Sequence, residues 1–223
     1  MKENQNLRYE LLKASNYDVK NAKACYDFVA GNEQPEVNAD NKEPEDGIYL
    51  IDTKGNAVRF VGDETETLND TAYIGVVMGK RSVAVALKDA ADCKDTTLTA
   101  EAEEEDCADS IYYDGYRDAV ADFNGKQNTE NLKAQGLSKA IDLQDDEYIP
   151  SLGELYLIVL NRKAINKALE FVGGQPIKGL WYWSSTESSA TYAWTLNLNN
   201  GYAGSYPKAT ATCRVRPVSA FLR

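Results

Sequence analysis

The side chains best suited to molecular recognition lie in the C-terminal segment from Leu180 to Arg223, where tyrosine, tryptophan, serine and threonine recur. Between Ser188 and Cys213, Lys208 is the sole charged residue, although 26% of the chain is charged. Tyrosine supplies rigid contact area with one polar end, and serine and glycine supply adaptable contacts, as in antibody binding sites. The composition therefore predicts a binding surface, with an ordinary polar hairpin as the alternative.

Residue types for catalysis or metal binding are scarce. The chain has no histidine, the commonest general base and zinc or copper ligand. Its cysteines, at positions 25, 93, 107 and 213, lack metal-type spacing, so free thiols are expected, with a Cys93–Cys107 bridge left open. The acidic run at 101–106 shows no calcium-ligand pattern, and a solvated charge run is favoured. We therefore expect no enzyme activity, no catalytic residues, no metal and no cofactor.

The charge balance restricts the class of partner. The chain carries 35 acidic and 24 basic residues, which gives a net charge of −11. Nucleic acids and anionic membranes select clustered lysine and arginine, so neither is expected as a partner. No apolar run is long enough for membrane insertion, and residues 1–6 lack the apolar core of a signal peptide, so export by the usual route is not expected.

The C-terminal segment has the pattern of a hairpin. Alternation from 192 to 198 predicts a strand with one face in the core and one in water. Asn200-Gly201 predicts the turn, because both residues tolerate positive φ. Residues 202–213 have no steady period, so an irregular displayed segment is expected there, with a regular strand resuming at 214–218.

The rest of the chain predicts an extension followed by one compact domain. Residues 1–46 are expected to form a helix at about 16–30 and an acidic linker, and the domain is expected to span 47–223. Within it we expect two hairpins, 48–51 with 57–61 and 72–78 with 82–87. We expect helices within 113–123 and from the Ser151/Glu154 capping box, a short turn at 128–132, and a further helix that ends at Gly173-Gly174.

Several motifs resemble those of the variable proteins of diversity-generating retroelements. They are 182–187, 193–194, 197–201 and 214–221, with weaker framework matches at 75–77, 83–90, 124–129 and 149–156. The resemblance implies an α+β fold of the C-type-lectin type, in its formylglycine-generating-enzyme-like branch. Mixed antiparallel sheets, flanking helices and a displayed variable region at about 181–213 would follow.

The resemblance also implies a function. In that family, reverse transcription misreads template adenines, so that asparagine codons change to many others but never to Lys, Glu, Gln, Met or Trp. Only Trp194 and Lys208 belong to this excluded set between Ser188 and Cys213. The implied protein is a receptor-binding display protein of a phage tail tip or a bacterial surface adhesin. Its partner would be an unknown protein or glycan receptor on a host or neighbouring cell, and its oligomeric state is left open.

The site residues follow from the same resemblance and from the composition. The expected ligand contacts are Tyr182, Ala190, Thr191, Tyr192, Thr195, Tyr202, Ala203, Gly204, Ser205, Tyr206, Ala209, Thr210, Ala211, Thr212 and Cys213. The expected scaffold residues are Trp183, Trp194, Gly201, Arg214 and Arg216. Two alternatives are a structural tail or pilus component, and an oxidase of the formylglycine-generating type. The oxidase needs a C-terminal cysteine pair for copper, and this chain has only Cys213 in that region.

Overall fold

The structure is a computed structural model that describes residues 45–62, 68, 70–101 and 110–221. The predicted helix at 16–30 lies outside the described residues, as do most of the predicted linker, Cys25, Cys107 and residues 102–106 of the acidic run. The described residues divide into two compact units, one with residues 45–47 and 77–82 and the other with the described residues of 48–76 and 83–221.

The described residues form an α+β structure. The strands are β1 (Gly47–Asp52), β2 (Ala57–Arg59), β3 (Thr71–Met78), β4 (Arg81–Ala86), β5 (Glu147–Tyr148), β6 (Trp181–Glu187), β7 (Tyr192–Asn197), β8 (Ala203–Pro207) and β9 (Val218–Ser219). The helices are α1 (Tyr116–Val120), α2 (Gly125–Ala134) and α3 (Leu152–Phe171). Residues Ala91–Cys93 form a tight turn with positive φ at each position.

The strands build two sheets. One has the order β2-β1-β3-β4-β9-β5 and the other the order β6-β7-β8. Both predicted N-terminal hairpins are confirmed, since β1 pairs antiparallel with β2 and β3 neighbours β4. Strand β9 is antiparallel to both β4 and β5, so residues 218–219 lie inside the larger sheet. Ile74, Val85 and Val218 of this sheet are fully buried.

The predicted capping box starts α3. Ser151 Oγ accepts a hydrogen bond from the Glu154 amide at 3.3 Å, and the Glu154 carboxylate accepts one from the Ser151 amide at 2.7 Å. The helix then runs unbroken for 20 residues. The prediction of a separate second helix is therefore wrong, because buried Leu155, Ile158 and Ile165 continue one helical face across the expected break. The expected short turn at 128–132 is part of the longer helix α2.

The C-terminal hairpin confirms the turn and corrects its surroundings. β7 and β8 are antiparallel, and Gly201 in the turn has φ of 72°. Residues 203–207 form a regular strand, so the expectation of an irregular return segment is wrong there. β7 is buried on both faces from Ala193 to Leu196, not on one. The expected strand at 214–218 is regular only at its end, where β9 begins.

Glu154 is a buried carboxylate at the start of α3. Its Oε1 accepts a hydrogen bond from the Tyr148 hydroxyl at 2.9 Å, and Asp122 lies near enough to repel it. Burial, aided by the Asp122 charge, raises the pKa of Glu154 to about 7 in spite of the hydrogen bonds from Ser151 and Tyr148, which lower it. The folded state therefore binds a proton that the unfolded chain releases at lower pH.

The Glu154 pKa predicts a definite pH dependence of stability. Because the folded pKa lies above the ordinary value of 4.5, the contribution of Glu154 is fully present below pH 4.5 and is lost as pH rises through 7. In Glu154→Gln this loss is expected to disappear. Between pH 4 and pH 8 the free energy of unfolding of the variant should therefore fall by about 1 to 3 kcal/mol less than that of the unaltered protein. Urea unfolding of both proteins from pH 4 to pH 8 measures it, and parallel curves would contradict it.

Candidate functional site

A buried ion pair joins the ends of β6 and β8. Lys208 Nζ contacts Glu187 Oε1 and donates a hydrogen bond to Gln135 Oε1 at 2.6 Å. Glu187 Oε2 accepts from Gln135 Nε2 at 3.1 Å and from Ser110 Oγ at 2.9 Å. Lys208 is 1% exposed and Glu187 is 3% exposed. Buried charges are tolerated when they are paired and hydrogen-bonded, and this network satisfies both conditions.

A second buried network connects the C-terminal segment to the loop after β4. Arg216 is fully buried, and its Nε donates to Asp89 Oδ1 at 2.6 Å. Its other nitrogens donate to the carbonyls of Ala86 and Gln175. The Tyr182 hydroxyl donates to Asp89 Oδ2 at 3.2 Å. Burial, followed by the Asp89 charge, raises the pKa of the Tyr182 phenol, so this group stays a donor at neutral pH.

The expected scaffold tryptophans are held by carbonyls from outside the hairpin. Trp183 is fully buried, and its Nε1 donates to the Thr96 carbonyl at 2.8 Å. Trp194 is 9% exposed, and its Nε1 donates to the Tyr113 carbonyl at 2.8 Å. Both indole donors are therefore satisfied, as buried indoles require.

Arg214 and Gly201 are also bonded to residues outside β7 and β8. Arg214 Nε donates to Asp95 Oδ1 at 2.6 Å, and its amide donates to the Trp181 carbonyl at 2.9 Å. The Gly201 carbonyl accepts from the Tyr156 hydroxyl of α3 at 2.7 Å. All five expected scaffold residues thus make framework contacts in the structure.

Three of the expected contact residues are buried, which corrects their assignment. Tyr182 and Thr195 are fully buried, and the Thr195 hydroxyl donates to the Gly204 carbonyl at 3.0 Å. Cys213 packs in a core cluster with Val215, and burial, aided by Asp95, raises the pKa of its thiol to about 12. Side chains without exposed surface have no area to offer a ligand, so these three belong to the framework.

The register of β7 and β8 divides the remaining hairpin residues between two opposite faces. Paired residues share a face and neighbours along a strand alternate, so Gly204 opposite Thr195 and Ser205 opposite Trp194 point to opposite sides. The Tyr206 face carries Tyr202, Gly204 and Tyr206, and the Tyr192 face carries Tyr192, Ala203 and Ser205. The expected contact residues therefore do not form one surface.

The Tyr206 face is an exposed aromatic cluster. The Trp181 ring lies 6.0 Å from that of Tyr202 and 5.5 Å from that of Tyr206, both in T-shaped contacts. Tyr202 is 66% exposed and Tyr206 is 38% exposed. A Cβ atom at Gly204 would lie 2.8 Å from Tyr206 Cε2 and 3.6 Å from Trp181 Cζ3, so glycine permits this close packing of the rings.

The Tyr192 face is backed by helices. The ring of Tyr116, in α1, packs 6.2 Å from that of Trp194, and its hydroxyl lies 2.8 Å from the hydroxyl of Tyr156 in α3. Ser205 Oγ is hydrogen-bonded to Ser188 Oγ at 2.6 Å. Much of the polar and aromatic surface on this side is therefore already in contact within the protein.

The loop edge consists of the turns at 188–191 and 208–212, at one end of the hairpin. It contains the other expected contact residues, Ala190, Thr191, Ala209, Thr210, Ala211 and Thr212. The Lys208 amide donates to the Thr191 carbonyl at 2.9 Å, which joins the two turns. Thr210 and Thr212 are exposed, whereas Ala211 packs partly against the core.

Sequence reasoning missed the partners of Lys208 and the role of Trp181. A lone lysine in a long uncharged stretch is a signal for a buried ion pair, but its partners Glu187 and Gln135 are 21 and 73 positions away. Trp181 precedes the expected contact residues by one position. Its ring contacts with Tyr202 and Tyr206 depend on the pairing register of β6, β7 and β8, which composition does not reveal.

Metal-binding clusters and helices fit to span a membrane are absent from the described residues. No group of three or more His, Cys, Asp or Glu side chains there is arranged to hold a metal ion. Cys93 and Cys213 carry free thiols. None of the helices in this part of the chain combines the length and apolar character that a membrane span requires.

The fold is similar to that of a fimbrial protein from Bacteroides ovatus ATCC 8483, known from a crystal structure at 1.85 Å resolution. The TM-score is 0.59 at 16% sequence identity, over 80% of this chain and 49% of that chain. The chain thus spans about half the length of the fimbrial protein, and at this identity the similarity concerns the fold alone. No protein-family model and no curated protein matches the sequence.

Removal of the Lys208 charge is expected to destabilise the protein strongly. Lys208→Met leaves Glu187 buried without its partner, so the free energy of unfolding should fall by about 3 to 5 kcal/mol. Lys133→Met is the matched control, because Lys133 pairs with Glu130 in an exposed i,i+3 contact worth under about 1 kcal/mol. Urea unfolding at pH 7 compares the two.

The double variant Glu187→Gln with Lys208→Met separates the two causes. It removes the uncompensated charge and should recover part of the loss. A Lys208→Met effect no larger than that of Lys133→Met would show that the pair does not hold the hairpin.

Calcium is expected to have no part in folding. The sequence shows no calcium-ligand pattern, and no group of three or more His, Cys, Asp or Glu side chains in the described ranges is arranged to hold a metal ion. Adding a chelator should therefore leave the Tm unchanged in a thermal melt. A large fall in Tm that calcium reverses would overturn this expectation.

Proposed function

We propose that this chain is a ligand-binding display protein with a C-type-lectin-type fold, whose C-terminal surface is diversified by adenine-directed mutagenesis from a retroelement template. Its place would be a phage tail tip or a bacterial cell surface, and its partner a protein or glycan receptor there. The proposal assigns it no catalytic role.

The separation of framework from surface carries the proposal. Trp183, Arg216 and Lys208 are almost completely buried, and their polar atoms bond to residues outside the hairpin. The exposed side chains of 188–213 carry no charge, because Lys208 is paired inside. A surface that must accept many sequences needs a conformation fixed beneath it, and this arrangement supplies one.

A second support comes from the residue types that adenine-directed mutagenesis could not produce. Trp194 and Lys208 are the residues of the excluded set in this segment, and both are buried. Their identity is therefore explained by packing and ion pairing, while the exposed positions around them carry residues that the mechanism can generate.

The binding surface that we propose is the Tyr206 face with the adjoining loop edge. Tyr202 and Tyr206 supply the aromatic contact area, and Thr210 and Thr212 supply exposed hydroxyls on the loop edge. Tyrosines of this kind are enriched among binding hot spots, where truncation costs about 2 kcal/mol or more. The Tyr192 face is left out because helices back it.

A structural role in a fimbria or pilus is the second candidate. It is favoured by the fold similarity to a fimbrial protein. In that role the exposed hairpin residues would be incidental, so Tyr202→Ala with Tyr206→Ala would not change attachment to cells. An oxidase role is weaker, because Cys213 is buried and the raised pKa of its thiol opposes the thiolate that copper binding needs.

Two sets of variants test the proposal through stability. Trp183→Ala and Trp194→Ala should each lower the free energy of unfolding by about 3 to 5 kcal/mol, through lost burial and a residual cavity. Polar substitutions of Thr210, Thr212 and Ser205 should change it by about 0.5 kcal/mol. Urea titration measures both sets, and equal losses would mean that the exposed positions are part of the core.

Binding and gene context test the remainder. Labelled protein should attach to the bacterial cells that carry its receptor. The double variant Tyr202→Ala with Tyr206→Ala should weaken this attachment at least about tenfold without lowering stability. The matched control is Tyr192→Ala, on the opposite face. A reverse transcriptase gene and an adenine-rich near-copy of the coding segment beside the gene would support diversification, and their absence would overturn that part.

A further inference from the structure

We infer that Lys208 and Gln135 react with each other to form a covalent amide cross-link, with Glu187 as the proton carrier. The three side chains are those of the buried ion-pair network described above, and the inference concerns the reaction that their arrangement allows. It goes beyond the proposed function and does not depend on it, because a cross-link here serves a display protein and a structural subunit alike. The reaction occurs once in each chain, so it adds no enzyme activity.

The amine and the carboxamide lie in contact. Lys208 Nζ is 2.6 Å from Gln135 Oε1. Because a C=O bond is about 1.2 Å long, Nζ lies within about 3.8 Å of the Gln135 Cδ carbon. Groups held in a protein are placed for reaction when the reacting atoms are about 3 to 3.5 Å apart. A small movement of the lysine side chain above the amide plane therefore brings the nitrogen to the carbon that it attacks.

One carboxylate touches both groups whose protons must move. Glu187 Oε1 is in contact with Lys208 Nζ, and Glu187 Oε2 accepts a hydrogen bond from Gln135 Nε2 at 3.1 Å. An ammonium group becomes a nucleophile only after it loses a proton, and an adjacent base supplies this activation. General acids and bases act at hydrogen-bond distance, which Glu187 has to both nitrogens. The network therefore contains a nucleophile, an electrophile and a proton carrier between them.

The reaction balances without any further reactant. The Lys208 ammonium gives a proton to Glu187, and the nitrogen lone pair attacks Gln135 Cδ, so that an Nζ–Cδ bond forms. Glu187 passes the proton to Nε2, which leaves as ammonia when the Cδ–Nε2 bond breaks, and Glu187 then takes a second proton from Nζ. The products are a secondary amide, a neutral Glu187 side chain and one molecule of ammonia.

Burial favours this reaction over its competitors. The three side chains are all at least nine-tenths buried, so bulk water does not compete with the amine for the carboxamide carbon. The reaction replaces two buried charges by a neutral amide and a neutral acid, which removes the cost of keeping charges away from water. Ser110 Oγ lies 2.8 Å from Gln135 Nε2 and Ser110 is partly exposed, so the ammonia is released beside a residue that reaches solvent.

Backbone contacts hold the three residues in place. The Lys208 carbonyl accepts a hydrogen bond from the Leu98 amide at 2.8 Å, and the Glu187 carbonyl accepts one from the Tyr113 amide at 2.9 Å. Gln135 directly follows the last residue of α2. The reacting groups are thus fixed from separate parts of the fold, as an intramolecular reaction requires. The cross-link joins α2 covalently to the residue after β8, and so secures the C-terminal hairpin.

Mass spectrometry of the purified full chain, incubated at pH 8 until its mass is constant, tests the inference. The denatured protein should be lighter than its sequence by one molecule of ammonia. Trypsin cleaves after lysine and arginine, so the cross-linked chain should give a branched peptide that joins residues 134–139 to residues 179–214. Without the cross-link, residues 134–139, 179–208 and 209–214 appear as separate peptides. The branched peptide distinguishes the cross-link from ammonia lost at an asparagine.

Two variants assign the roles of the side chains. Lys208→Arg keeps a positive charge beside Glu187 but removes the amine, so the branched peptide should be lost. Glu187→Gln removes the proton carrier, so the cross-link should form at least about a hundredfold more slowly. Lys133→Arg, in the exposed pair with Glu130, is the matched control and should cross-link as the unaltered protein does. Circular dichroism of the same samples checks the fold.

Separate peptides alone from the folded, unaltered protein would overturn the inference and leave the three side chains as a structural network. This measurement needs no variant, so it holds even where a variant does not fold. Cross-linking at an unchanged rate in folded Glu187→Gln would overturn the role of Glu187. Cell attachment is measured separately, so failure of the cross-link and failure of the proposed function are distinguishable.

Discussion

The buried contact between Glu187 and Lys208 is the interaction on which the C-terminal half of the structure depends. Two charges lose their hydration there, and their attraction compensates only if the remaining donors and acceptors are also bonded. Gln135 and Ser110 complete that bonding. The ends of β6, β8 and α2 must therefore all be in place together, because any one of them missing leaves a buried charge unsatisfied.

This dependence explains how a hairpin with exposed side chains can keep a defined conformation. Residues outside it hold it: Trp194 donates to the Tyr113 carbonyl, the Gly201 carbonyl accepts from Tyr156, and Lys208, directly after β8, donates to Gln135. The conformation of the turn and strands is thus determined mainly by residues before the hairpin. Exposed side chains on it take little part in these contacts, so their identities are only weakly constrained by folding.

The parts of the fold that the sequence predicted are those fixed by short-range contacts. The Ser151/Glu154 capping box spans four residues, and the Asn200-Gly201 turn is a property of two. Both were predicted because the residues that form the sequence motif are the same residues that make the structural contact. The first two hairpins followed from the same local signals, whereas the α+β class was implied by the resemblance of the motifs.

The parts that the sequence did not predict depend on long-range contacts. Arg216 and Asp89 are 127 positions apart, and Lys208 and Gln135 are 73 apart. Burial of Tyr182, Thr195 and Cys213 depends on what covers each strand, which alternation along one strand does not reveal. β7 therefore had the period of a half-buried strand and is buried on both faces.

The geometry of an antiparallel hairpin limits how a diverse surface can be used. Alternation sends neighbouring residues of β8 to opposite sides, so one partner can contact only every second residue of the strand. Variation at Ser205 would change the contact with Ser188 on the Tyr192 face. Variation at Tyr206 would change the aromatic cluster on the opposite face. This limit does not apply to the loop edge, because side chains in turns do not alternate between the two faces of a sheet. Side chains of the loop edge, such as those of Thr210 and Thr212, can therefore contact one partner together. The proposed binding surface is thus a turn region supported by a strand and not the strand itself.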